Sequence, residues 1–368
     1  MKYKDKFLNT QSVDKIFSFR GKIFNECVAR YPKMLYAPDF VRSESNRGNF
    51  YPENKNNIFS LRIDVDEFEE SDFRQYIKIL EPFKKCVTLF CSVAAFKEKE
   101  CLLKELKSAG FDVQSHGFYH HVYNDYENNF NNILKAKDFF EKTSINTIGF
   151  AAPMGKYNES LMVALEGLGF IYSSDFSFDY LNFPHYPKLK KRFSKILQVP
   201  ILPVCPELLF SFGFNLEEVI AYYDEVVEKL TNTNIPVIIY NHTDIRYPQV
   251  KDFLKQFLSK IAENDKLYKC NISDFALWCL KQEDKSFSGS FGILNRKVAS
   301  GFLEIPDNSL FGKPKKISPL KFAKKAIKNT IDFETITPAS EIKGNKIKKR
   351  LKLFVRRIKN EANGFKER

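Results

Sequence analysis

The chain has 368 residues, 43% of them hydrophobic and 28% charged, and a formal net charge of +13. That length and balance fit a globular protein with one barrel-sized domain plus an appendage, and they exclude a low-complexity or fibrous chain. The charge is uneven: residues 296–368 hold 20 of the 58 Lys and Arg and 7 of the 45 Asp and Glu, which leaves 38 of each sign elsewhere and puts the whole excess in a basic tail.

No apolar run follows Met1-Lys2-Tyr3-Lys4, so no secretory signal is expected, and no stretch approaches the length that spans a bilayer. The seven cysteines show no C-x-x-C spacing, and Cys86, Cys91 and Cys279 lie in apolar surroundings. They read as buried thiols of a cytoplasmic protein, neither disulfides nor a zinc knuckle. Residues 1–57 form an N-terminal extension, with a helix expected over 12–31 and a polar loop over 43–57. Apolar runs of strand length then recur at 58–65, 86–93, 111–115, 147–152, 170–174, 196–202 and 236–240. Helical patterns separate many of them, at 99–109, 126–142, 160–168, 217–230 and 250–262. Gly110 and Gly169 follow two of these helices, where glycine suits a left-handed cap.

Strands alternating with helices imply parallel βαβ units, and about seven of them argue for a closed or nearly closed α/β barrel over residues 58–285. Asp64, Asp66, His116, the Pro153-Met154-Gly155 turn, Asp175 and His242 all fall at the C-terminal ends of predicted strands. In an α/β barrel those ends share the active face. From residue 286 to 368 the rhythm breaks. Ile347, Leu351, Phe354 and Ile358 recur at helical spacing amid Lys and Arg. Such a basic amphipathic segment is either a solvated helix packed on its own domain or one that lies on an anionic membrane, here through residues 315–360. No recognition module for nucleic acid accompanies it, and no such partner is expected.

The chemistry concentrates in two pairs. His116 and His120 are expected one helical turn apart, on one side, where they can close on a metal ion. Asp64 and Asp66 end the apolar strand that precedes them. Alone, a D-x-D also suits a turn, a helix cap or the metal motif of sugar-nucleotide transferases. Together the four residues supply three ligands and a spare base, the minimal kit for metal-assisted hydrolysis. His185, between Pro184 and Pro187, reads as a loop residue and not a ligand.

The combination resembles the NodB-type polysaccharide deacetylases, also called carbohydrate esterase family 4. Five segments carry the likeness: Arg62-Ile63-Asp64-Val65-Asp66-Glu67, Ser115-His116-Gly117-Phe118-Tyr119-His120, the stretch from Gly149 through Pro153-Met154-Gly155-Lys156-Tyr157 to Asn158, Tyr172-Ser173-Ser174-Asp175, and Ile238-Ile239-Tyr240-Asn241-His242. The resemblance implies a distorted (β/α)7-type barrel. It implies Asp64 as catalytic base, and Asp66, His116 and His120 as ligands of one divalent metal ion, zinc being the one expected. His242 would be the proton donor, with Asp175 aligning it. Pro153, Met154 and Tyr157 would line the substrate site, the Met154 backbone N–H facing the oxyanion. One position departs from the pattern: Ala151 stands where the family usually has an arginine that contacts the catalytic aspartate, and Arg62 and Lys156 are the candidates to replace it.

The resemblance therefore implies a hydrolase that removes an N-acyl, in particular N-acetyl, group from an amino sugar of a polysaccharide or lipid-linked glycan precursor. The alternatives are a catalytically weak or inactive relative that binds glycans at the membrane, which Ala151 would favour, and a hydrolase of a non-sugar amide.

Overall fold

The computed structural model describes residues 51–286 except 56, 176–183, 188, 190–191, 203–204, 212–213, 232–235 and 244–246, together with two-residue strands at Leu35–Tyr36, Leu303–Glu304 and Lys316–Ile317. The helices expected over 12–31 and around Ile347–Ile358 lie outside the described residues.

Strand β1 (Asn57–Val65) is buried along its whole length, as befits the central strand of a parallel sheet covered on both faces. To one side follow β2 (Val87–Cys91), β3 (Asp112–Ser115), β4 (Gly149–Phe150), β5 (Tyr172–Ser173) and β6 (Leu197–Gln198), all parallel. On the other side lies β7 (Val237–His242), also parallel. The short β8 (Leu267–Lys269) pairs with Asn57–Phe59 below β2. Beyond β6, the Leu202 N–H donates to the Ile238 carbonyl at 2.8 Å. That bond brings the two ends of the sheet together into the distorted seven-stranded barrel.

Helices α1 (Glu70–Leu80), α2 (Glu100–Ser108), α3 (Tyr126–Lys142), α4 (Glu159–Gly167), α5 (Leu216–Thr231) and α6 (Gln249–Glu263) wrap the outside, and α7 (Ile272–Ser286) follows β8. The expected strands and helices recur, the helices within a residue or so of their expected bounds and most of the strands after the first shorter than expected. The fourth strand shrinks to two residues because the Ile148 and Gly149 N–H groups donate to the Gln114 side chain at 2.9 and 2.8 Å. Helix α1 was not among the expected elements. Its buried Phe73, Tyr76 and Leu80 have helical spacing, but they stand in a stretch crowded with acids.

Strand periodicity sorts the side chains into two apolar clusters. Phe59, Leu61, Ile63, Val65, Leu89, Val113 and Ile239 pack outward against the helices. Ile58, Phe90, Tyr172, Leu197, Ile238 and Tyr240 pack together inside the barrel with Phe275 and Ala276 of α7. Buried polar groups tie α7 to the barrel floor. The Ser273 hydroxyl donates to Asp112 at 2.8 Å, Thr88 Oγ1 bonds the same carboxylate at 2.7 Å, and the Ile272 N–H donates to Thr88 Oγ1 at 2.8 Å. The interior is therefore closed below, and chemistry is confined to the C-terminal mouth.

Candidate metal centre and active site

The inward face of β1 carries Ser60, Arg62 and Asp64, and the inward face of β7 carries Ile238, Tyr240 and His242, with Asp64 in register with His242. Asp66 follows one residue beyond β1. Its Oδ1 lies 3.1 Å from both His116 Nε2 and His120 Nε2. Both imidazoles are buried and their ring centroids are 4.9 Å apart.

The protonation of His116 follows from its other nitrogen. Nδ1 lies 2.6 Å from the Ala151 carbonyl oxygen, which can only accept, so Nδ1 carries the hydrogen. In the neutral ring Nε2 then presents a lone pair to a carboxylate oxygen. Both His116 Nε2 and Asp66 Oδ1 are buried without a hydrogen-bond partner. Two orphaned electron-pair donors in contact, with a third nitrogen at the same distance, fit a divalent cation between them. The backbone carbonyl fixing the ligand ring is the usual support of such a site. Asp66, His116 and His120 also form one of the two groups of potential ligands that converge among the described residues. Burial pushes the Asp66 carboxyl up, but His120 and His116 outweigh it and hold it well below the usual carboxylate range.

The two histidines do not share a helical turn. Residues 116–123 form an irregular loop, turned by Gly117 at φ 83°, where an added Cβ would lie 3.0 Å from the Tyr119 carbonyl oxygen. Two buried asparagines of α3 support this loop. Asn132 Oδ1 accepts from the Tyr119 N–H at 2.9 Å, and its Nδ2 donates to the carbonyls of Tyr119 and His121 at 3.2 Å. Asn129 bonds the N–H and carbonyl of Tyr123 at 2.9 and 2.8 Å. Neither asparagine was among the expected site residues. Their signal is polar residues on the inner face of an amphipathic helix.

Arg62 takes the place that Ala151 leaves vacant. Its Nε donates to Asp64 Oδ1 at 2.6 Å and its Nη2 to Oδ2 at 2.7 Å. Nη1 donates to the Ser174 carbonyl, and the guanidinium lies 5.2 Å from the Phe90 ring centroid and 6.0 Å from that of Tyr240. Burial pushes the Asp64 carboxyl up. Arg62, then His116 and His242, more than offset that and hold it below the usual range. Asp64 is therefore a buried, oriented carboxylate beside the candidate metal ligands.

His242 sits at the mouth with its side chain 32% exposed, and its Nε2 is 3.9 Å from Asp64 Oδ2. The carboxylate behind it is Glu207, not Asp175. Glu207 Oε1 lies 3.6 Å from His242 Nδ1 and accepts the His242 backbone N–H. Burial lowers the imidazole pKa, but Glu207, then Asp66 and Asp64, push it up to about 9. Asp175 is occupied elsewhere: it accepts from the Ala152 N–H and the Ser173 hydroxyl, both at 2.6 Å, and from Gln198 Nε2 at 3.1 Å. Burial pushes its carboxyl up against these donors. Asp175 thus anchors the strand end that leads into the 153–155 turn. His185 pairs with Gln198 in an isolated bridge, so it belongs to the sheet margin and not to a loop.

The turn Pro153–Gly155 starts two residues beyond the carbonyl that holds His116. Met154 adopts φ 59° there and is 50% exposed, while Pro153 and Tyr157 are buried. The mouth thus gathers a cation site, a carboxylate held by an arginine, an imidazole held by a glutamate and an exposed rim.

The model of the family described as polysaccharide deacetylase matches residues 54–173. No curated protein matches the sequence. The fold is that of a solved putative polysaccharide deacetylase from Mycobacterium smegmatis, at 15% identity, with 68% of this chain and 97% of that one covered and a TM-score of 0.55. A probable polysaccharide deacetylase from Pseudomonas aeruginosa PAO1 is similar at 17% identity, with 70% and 100% covered and a TM-score of 0.54. The Puue allantoinase structure shares the fold too, at 16% identity, 70% and 99% coverage and a TM-score of 0.55. The matched stretch runs from the D-x-D strand through the two histidines to β5, so this part of the chain is similar to the polysaccharide deacetylases, and the barrel shares their fold.

Proposed function

We propose that the chain is a metal-dependent hydrolase that removes an N-acetyl group from an amino sugar of a polysaccharide or lipid-linked glycan precursor. The observation that carries this reading is the convergence of Asp66, His116 and His120 beside the arginine-held carboxylate of Asp64. Those three residues would hold one divalent cation, zinc by its nitrogen and oxygen donor set. A cation there supplies Lewis acidity to an acyl oxygen and makes water easier to deprotonate. Asp64 takes the proton of the attacking water. His242 Nε2, on the opposite side of the mouth, gives a proton to the departing nitrogen as the C–N bond breaks, leaving acetate and a free amine. The Met154 backbone N–H, on the turn at the rim, is the candidate oxyanion donor.

The inactive reading loses its main support because Arg62 holds the carboxylate that the absent arginine at 151 would have held. The reading also places the chain in the cytoplasm, with the basic segment 315–360 on the anionic inner face of the membrane, where lipid-linked precursors lie. Among the described residues no helix is long and apolar enough to cross a membrane.

The test is acetate release from N-acetylated amino-sugar oligomers by chelated and zinc-reloaded protein. We expect turnover only after reloading, its loss in Asp64→Asn, and loss of stoichiometric metal with the fold retained in His116→Ala. Full metal content in His116→Ala would overturn the ligand assignment. Bound metal with turnover of a non-sugar amide alone would replace the substrate class. Equal flotation of full-length and tail-less protein with anionic vesicles would remove the membrane proposal.

A further inference from the structure

We propose that Cys205, Glu207 and His242 form a second cation site, suited to a thiophilic divalent ion such as zinc, whose occupation switches the reaction off. The switching clause rests on the proposed deacetylase reading, whereas the site itself does not. The Cys205 thiol sulfur, a Glu207 carboxylate oxygen and a His242 ring nitrogen all lie within 4.8 Å of one another. Cys205 and Glu207 are both buried. Glu207 Oε2 is buried without a hydrogen-bond partner, so this carboxylate keeps a ligand position in reserve after Oε1 has accepted the His242 N–H. A sulfur, nitrogen and oxygen set of this kind suits zinc or cadmium better than magnesium or calcium, which select oxygen alone.

The site opposes the first one through a shared side chain. His242 turns Nε2 toward Asp64 and Nδ1 toward Glu207. With a proton on Nδ1, the ring is an imidazolium that becomes neutral when Nε2 releases its hydrogen. With a cation on Nδ1 in place of that proton, Nε2 could release its hydrogen only by leaving an imidazolate. A cation bound behind the ring therefore withholds the proton that the leaving amine requires. Zinc would act at two places with opposite effects, activating at Asp66, His116 and His120 and inhibiting at Cys205, Glu207 and His242.

The experiment is a cobalt(II) titration of the chelated full-length protein, followed by metal analysis and by the near-ultraviolet sulfur-to-cobalt charge-transfer absorption. We expect two equivalents, one of them bringing the absorption. Cys205→Ala, which keeps apolar volume in the interior cluster, should lose the absorption and one equivalent. His116→Ala should lose the other equivalent and keep the absorption. In assays of the zinc-loaded protein, excess zinc should inhibit, and Cys205→Ala should raise the inhibitory concentration by about tenfold or more. No charge-transfer absorption in the parent, or the same absorption in Cys205→Ala, overturns the site. An absorption that behaves as expected in a protein without acetate release keeps the site and removes only the deacetylase reading. Unchanged zinc inhibition in Cys205→Ala removes the switch.

Discussion

Arg62 and Asp64 stand two residues apart on the inner face of one strand, and the guanidinium of the first grips both carboxylate oxygens of the second at 2.6 and 2.7 Å. The family pattern supplies this arginine from the position that Ala151 occupies. Here the carboxylate and its partner come from the same strand, so pleat periodicity alone fixes their relation. Removing one member of a buried pair leaves the other charge uncompensated. Arg62→Ala is therefore expected to cost about 3–5 kcal/mol in urea denaturation. Arg62→Lys keeps the charge but loses the fork that fixes both oxygens, and kcat is expected to fall about a hundredfold with KM little changed. In the double variant Arg62→Ala/Ala151→Arg, part of the activity lost by the single change should return. An Arg62→Ala protein with parental stability and turnover would take Arg62 out of this role.

Asn132 is the internal template of the loop that carries His120. It bonds the N–H and carbonyl of Tyr119 and the carbonyl of His121. Asn132→Leu keeps the volume but strands these groups. Metal affinity is expected to fall about 10–100-fold, as for other supports behind a ligand, while the barrel stays folded. Isothermal titration with zinc, alongside far-ultraviolet circular dichroism, reads both quantities. Parental affinity in a folded Asn132→Leu protein would show that the loop holds its shape without that side chain.

Glu207 raises the proton affinity of His242, which sits at about 9. A proton donor works only while protonated, so turnover should decline as rising pH strips the proton from His242. Glu207→Gln removes the negative charge and moves the declining limb to lower pH, with the acid limb unmoved. The pH profile of kcat measures this. A basic limb at the parental position in Glu207→Gln would show that another group sets it.

The strand running into Asp64 and Asp66 was legible because Ile58, Phe59, Leu61, Ile63 and Val65 give it a mostly apolar, strand-length pattern that ends on two acids. Arg62 was legible as a candidate, since it shares the parity of Asp64, but its reach depended on Ser174 and on the two rings beside it. The helical turn expected between His116 and His120 was misleading. Gly117 takes a left-handed conformation, and the bonds that shape the loop come from Asn129 and Asn132 on the following helix. Nothing near Glu207 in the chain marks it as the partner of His242. That pairing arises only when the segment beyond β6 docks against β7, a contact over 35 residues of sequence. The late aspartate, Asp175, drew attention through a motif but is consumed by the backbone of Ala152 and by Ser173 and Gln198.

Glu166 offers a test of how the chain beyond the site is fastened. At the end of α4 it accepts from Arg192 Nη1 at 2.9 Å, from the Ser194 hydroxyl at 3.0 Å and from the Lys195 N–H at 2.7 Å. Burial raises its carboxyl, but Arg192, the Lys195 N–H and Ser194 outweigh that and hold it below the ordinary glutamate value of 4.5. A carboxyl depressed in the folded state binds fewer protons there than in the unfolded chain, so stability rises with pH through the interval between the two values. The contribution is complete above the unfolded value and is lost as pH falls through the folded one. Glu166→Gln should therefore be less stable than the parent at pH 7, and the gap should shrink as the pH is brought well below the ordinary carboxylate range. Urea midpoints at neutral and acid pH measure it, and a gap of constant size across that range would mean that Glu166 acts through packing and not through its charge.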